Sequence, residues 1–233
     1  MKYFNNSEKM KKTTILLLMI VALGIQVNAQ DRSGILDAKE QSVGIATGVD
    51  YSIMPLQLTY KRGFDIGNYK FPFSAGLDVT VPVFNFDLND IRVRITTEMT
   101  FLRKRNFEIR GGIDPVFVNL KMETETMSSL GLDFHLFTGF TNARWSTGME
   151  VRYNTMFSTY IQHTDKYTDN VYEGAVDGWY KNTAANIRIG ALVNYRVNKF
   201  DLFLRAGISK TGKFDDYLFV PSMYGIIGVN FRF

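Results

Sequence analysis

From Phe71 to Val83 the apolar residues fall on every second position: Phe71, Phe73, Ala75, Leu77, Val79, Val81 and Val83 alternate with Pro72, Ser74, Gly76, Asp78, Thr80 and Pro82. The segment from Ile91 to Phe101 repeats the rhythm, setting Ile91, Val93, Ile95, Met99 and Phe101 against Arg92, Arg94, Thr96, Glu98 and Thr100. A period of two belongs to a strand whose two faces meet different surroundings. Carried along the chain, the pattern predicts strands at 42–52, 55–64, 69–83, 91–103, 106–119, 128–140, 143–156, 184–197, 200–210 and 223–233. Eight strands are the alternative, because the first two segments alternate least regularly. Every second connection is tight, at Asp65–Asn68, Arg103–Asn106, Thr141–Arg144 and Val197–Phe200, rich in the Asn and Gly that turns favour. The others are mostly longer, the longest near 157–183, with Tyr160, Tyr167, Tyr172, Trp179 and Tyr180. Short turns on one rim and long loops on the other predict an all-β fold, a transmembrane antiparallel up-and-down β-barrel.

Alternation alone does not say which face is inside, since a soluble barrel buries its apolar row and shows its charges to water. Two features choose the inverse arrangement. The apolar rows of the third and eighth strands, and that of the fourth from Ile91 to Phe101, contain no charge. Aromatics collect at strand ends, with Phe101, Phe107, Phe140, Trp145, Phe231 and Phe233 beside the tight turns and Tyr51, Phe117 and Tyr153 toward the loops. Such a double girdle matches two lipid headgroup layers. The opposite register carries Lys61, Arg92, Arg94, Arg110, Arg152, Arg188, Arg196, Arg205 and Arg232 against Asp50, Asp78, Glu98, Glu108, Asp114, Asp133, Glu150 and Asp201. Nine cations against eight anions predict a narrow, ion-paired lumen, because an unpaired ion away from water costs several kcal/mol. Ten inward glycines (44, 48, 76, 112, 131, 139, 148, 190, 207 and 228) would give the long guanidiniums room.

The N-terminus adds an address. Lysines at 2, 9, 11 and 12, an apolar run from Ile15 to Ile25 and the Val27–Asn28–Ala29 site predict a secretory signal over 1–29, with Met10 an equally good start. Its removal takes four lysines and Glu8 from the 27 basic and 23 acidic residues, leaving 23 and 22. The overall charge of +4 therefore leaves no nucleic-acid footprint. Residues 30–41 are expected to be a short periplasmic plug or tail ahead of a barrel at 42–233. Cysteine is absent, so no disulfide supports the fold.

The last strand sets Val229, Phe231 and Phe233 against Asn230 and Arg232. This resembles the C-terminal signature of Gram-negative outer-membrane barrels, small and porin-like in architecture, in which a final aromatic is read by the barrel-assembly machinery. The resemblance implies that Phe231 and Phe233 are the assembly signal, that the site is the bacterial outer membrane and that its lipid is the main partner.

Candidate chemistry is sparse. Asp133 and His135 share the inward register, and the next strand offers Glu150 and Arg152 at similar height. A carboxylate orienting a histidine is the core of general-base catalysis, and the Asp-x-His pair resembles that of the omptin proteases, ten-stranded outer-membrane enzymes with a site at the rim. Those enzymes use a second aspartate pair and longer strands; here Asp87 and Asp90 are the remaining acids for that part. A network of Arg92, Arg94, Glu98, Glu108, Arg110, Asp114, Asp133, Glu150, Arg152, Arg188 and Arg205 accounts for the same residues without catalysis. No residue is assigned as catalytic, and no metal site or cofactor is expected; His163 has no evident partner. The expected role is structural or surface-binding, with a ligand at the 157–183 loop. A narrow channel for small or amphipathic solutes is the alternative, suggested by inward Phe137, Leu192 and Phe203, and a hydrolase around Asp133, His135 and Glu150 is third.

Overall fold

A computed structural model describes residues 36–50, 53–66, 72–82, 90–170, 173–211 and 222–233. The predicted signal over 1–29 lies outside the described residues, as do Tyr51, Tyr172 and Asp87. Ten strands follow one another as β1 (Gln41–Val49), β2 (Ile53–Phe64), β3 (Phe73–Pro82), β4 (Ile91–Lys104), β5 (Phe107–Lys121), β6 (Glu125–Thr141), β7 (Trp145–His163), β8 (Gly178–Val197), β9 (Phe200–Thr211) and β10 (Met223–Arg232). A short helix, α1 (Asp165–Asn170), sits between β7 and β8. Each strand pairs antiparallel with its neighbours, and β1 pairs with β10, so the sheet is a closed ten-strand barrel. Closure extends to the last residue, because Gln41 and Phe233 exchange both backbone hydrogen bonds at 3.0 Å.

Alternation fixes what each face meets. On β8 the outward row is Val197, Tyr195, Val193, Ala191, Ile189 and Ile187, all exposed, before Lys181 ends it. That run spans about 33 Å along the strand at ~3.3 Å per residue, or about 25 Å vertically at a tilt of ~40°. β9 matches it from Phe200 to Ile208, with Lys210 beyond. The inward rows are buried and polar: Asp78, Arg92, Arg110, Asp114, Asp133, Glu150, Arg188 and Arg232 are each less than one-tenth exposed. The molecule is greasy outside and charged inside.

Three departures from strict alternation shape the wall. The β4–β5 register shifts between Thr100 and Leu102, so Phe101 and Leu102 both face outward and Arg103, on an outward position by parity, turns toward Glu108 at 3.7 Å. In β7 an extra residue near Phe157 moves Thr159 and Ile161 to the buried face. The third departure is a seam. Pairing of β4 with β5 is regular up to Arg94–Val116 and again from Met99–Gly111. Between them Thr97 Oγ1 accepts from Ile113 N at 3.0 Å and donates to Ile113 O at 2.9 Å, while Thr97 N donates to Asp114 Oδ1 at 2.7 Å. Two residues along, Pro115 has no N–H to offer β4. Side chains thus satisfy backbone groups that a lipid environment would leave costly.

Both ends of the predicted long loop at 157–183 are strand. β7 runs on to His163 and β8 starts at Gly178, pairing Thr159 with Tyr180 and Tyr160 with Trp179. The loop shrinks to 164–177, because aromatic and β-branched residues on both sides pair across the hairpin. The first segment also proves specific: from Leu36 to Glu40 it is tied into the turn-side mouth by Gly63 N to Glu40 O at 2.8 Å and Lys39 N to Gly63 O at 3.1 Å, with Leu36 buried.

Candidate functional site

The charged interior is ordered by height. Near the turns Arg232 pairs with Asp201, and Glu40 lies 3.3 Å from Arg232 and 3.8 Å from Arg196. Above them Arg110 reaches Glu98 at 2.9 Å and Glu108 at 3.4 Å, Lys61 meets Glu98 at 3.5 Å, and Thr141 donates to Glu108 at 2.9 Å. The next layer is the densest. Arg94 touches Asp78 and Asp133, both at 2.9 Å, and Asp133 also meets Arg152 at 3.5 Å and Arg92 at 3.6 Å. Glu150 takes Arg152 at 2.8 Å and Arg205 at 3.0 Å. Higher still, Arg188 pairs with Asp50.

All eleven residues expected in the network lie in it, and Glu40, Arg103, Lys61 and Asp201 join them. Glu40 precedes the first predicted strand, and only the Phe101–Leu102 apolar doublet hints that Arg103 turns inward. Charged hydrogen bonds of this kind are the strong ones in a low-dielectric interior.

The inward glycines do a different job from the one expected. At the sites where a side chain faces them, the room is occupied chiefly by rings. Phe137 lies over Gly139 and Gly148: a Cβ there would sit 2.7 Å and 2.9 Å from its ring atoms. Tyr224 takes the space beside Gly190, and Phe203 the space beside Gly228. The guanidiniums then stack on the rings, Arg110 at 4.3 Å from the Phe137 centroid, Arg188 at 5.4 Å from Tyr224 and Arg205 at 5.9 Å from Phe203. Glycine seats the ring and the ring seats the cation.

What remains open inside is a cavity of about 100 Å³ reaching from Leu36 past Glu98 and Phe137 to Asp78 and Arg94. It has room for a handful of waters and lies well below the ~300 Å³ of small-ligand sites.

The Asp133–His135 pair anticipated at the rim is buried instead, and its members have different partners. His135 Nδ1 lies 3.4 Å from Asp114 Oδ2 on β5, while Asp133 is surrounded by arginines and wholly inaccessible. Glu150 is likewise committed to two arginines. Asp90 accepts from Lys121 N at 2.9 Å, an anchor for the end of β5. Among the described residues no group of three or more His, Cys, Asp or Glu side chains is placed to hold a metal ion.

The loop-side rim holds a cluster that the sequence left unpartnered. His163 donates its backbone N–H to Asp177 at 2.8 Å, its Nδ1 is 2.9 Å from the same oxygen, and its ring stacks on Tyr167 at 5.0 Å. Lys166 pairs with Glu123 at 2.9 Å, and Thr164 donates to Thr124 O at 3.0 Å. The His163 backbone N–H holds the Asp177 carboxyl below its ordinary value, and Lys166 does the same for Glu123. Depressed carboxylates stabilise the fold above their unfolded pKa of ~4 and lose that contribution as pH falls through the folded value. Pepsin cleavage within 164–177 is therefore expected to rise sharply between about pH 4 and pH 2, with the barrel strands uncut and His163→Ala already cut at pH 4.

No protein-family model matches the chain, and no curated protein sequence matches it. Fold and geometry alone define the class: a closed ten-strand barrel with an apolar exterior and an ion-paired interior.

Proposed function

We propose that this protein is an integral outer-membrane β-barrel, not an enzyme, whose lumen is a structural core and whose role is structural or surface-binding at the loop-side rim. One observation carries the reading: the outer wall is an apolar belt about 25 Å tall, while inside, paired charges and seated rings surround a cavity of about 100 Å³ between Leu36 and Arg94. Charges turned inward and hydrocarbon turned outward suit lipid and oppose free solution. Asymmetry of the rim supports a binding role. β7 and β8 have 19 and 20 residues against 9 and 10 for β1 and β3, so one side of the wall rises well above the other. That projection bears Trp179, 63% exposed and 5.4 Å from Tyr160, with Tyr180 and Val176 nearby. Exposed Trp and Tyr among polar residues are the composition of contact surfaces.

Passage of small or amphipathic solutes is the second reading, favoured by the cavity between Leu36 and Arg94. A solute would still have to cross the Asp78–Arg94–Asp133–Arg152–Glu150–Arg205 layer. Reconstituted into a planar bilayer, the protein is expected to show no unitary conductance steps; steady steps that disappear with Gly148→Leu would establish the channel instead. A hydrolase around Asp133 and His135 is the third reading; His135 has Asp114 beside it at 3.4 Å, and Asp133 has arginines.

A further inference from the structure

The outer wall over β5, β6 and β7 holds a groove of about 270 Å³ between Phe101, Ile113, Phe134, Leu136, Val151 and Tyr153. Phe134 and Tyr153 stand side by side with ring centroids 6.4 Å apart, giving it one rigid aromatic flank. Gly112 and His135, which pair across β5 and β6 on the inward register, also line it, so its floor is the wall itself at that pair.

Water is a poor occupant, because an ordered water needs two to four polar partners and six of the eight lining residues are apolar or aromatic side chains. An empty recess is also unfavourable, since each lining atom forfeits dispersion contacts on the open side. We propose that the groove is a site for one acyl chain of a membrane lipid, held against the Phe134–Tyr153 flank and the Gly112–His135 pair beneath. The inference rests on the belt facing lipid, for acyl chains are then what surrounds the groove. Comparably exposed positions on the opposite wall, Val43 and Ile45 of β1 and Ile227 of β10, are not part of this groove and would meet only passing chains.

The test uses the full protein in phosphatidylcholine vesicles carrying a diazirine-bearing acyl chain, with adducts mapped by mass spectrometry after illumination. Adducts at Ile113, Phe134, Leu136 and Val151 should exceed those at Val43, Ile45 and Ile227 about fivefold, which corresponds to ~1 kcal/mol of preference. Val151→Trp, and independently Leu136→Trp, should bring the groove down to the level of the far wall. Even labelling of both walls would overturn the acyl-chain site and leave the membrane reading intact. Absence of adducts from both walls would overturn the membrane reading and the site with it.

Discussion

Asp133→Ala is expected to lower the unfolding free energy of the barrel by about 3–5 kcal/mol, the cost of breaking a buried ion pair and leaving its partners uncompensated. Asp133 is fully buried and three guanidiniums converge on it, from Arg92, Arg94 and Arg152. Without it Arg94 retains Asp78 and Arg152 retains Glu150, but the layer gains a net positive charge away from bulk water. Since domains are stable by only about 5–15 kcal/mol, the variant should unfold at far lower urea in vesicles, or fail to assemble. Asp133→Asn should cost nearly as much, because charge rather than shape is lost. Adding Arg92→Gln to Asp133→Asn should recover part of the loss, a non-additivity that marks direct coupling. Strict additivity, or a near-neutral Asp133→Asn, would mean that the layer is not held by pairing.

Phe137→Ala is the second large effect. The ring is 2% exposed, rests on Gly139 and Gly148, and carries Arg110 on its other face. Truncating a buried phenylalanine costs about 3–5 kcal/mol through lost contacts and the void left behind. Here the void would join the interior cavity, which Phe137 already lines. Urea unfolding should show the loss, and planar-bilayer recording should show small conductance steps absent from the parent. Phe137→Leu, which refills most of the space, should restore silence and much of the stability. An unchanged midpoint with Phe137→Ala would show that the ring is not part of the core.

The strands were legible because an apolar exterior and a charged interior impose a strict period of two, and residues such as Val79 and Asp78 cannot exchange faces. The membership of the interior network was legible for the same reason. Who pairs with whom was not, because the partners stand on strands that are not neighbours: Lys61 of β2 with Glu98 of β4, Arg94 of β4 with Asp133 of β6, Glu150 of β7 with Arg205 of β9. Asp133 and His135 looked like a pair only because they are two residues apart, while the β5–β6 register set His135 beside Asp114. The strand extensions at Tyr160 and Trp179 were hidden by polar residues between them that resemble a loop. The β4 bulge was foreshadowed only by two adjacent apolar residues, and the seam only by a proline in mid-strand.

The central claim is that the apolar rows meet hydrocarbon. The chain has no cysteine, so single cysteines at Ile95, Ile189 and Asp169 can be probed in intact membranes with a membrane-impermeant thiol reagent. The account predicts rapid labelling of the α1 position, Asp169→Cys, and none of Ile95→Cys or Ile189→Cys until detergent and urea unfold the barrel. Labelling of Ile95→Cys and Ile189→Cys as fast as Asp169→Cys in the intact membrane would contradict it.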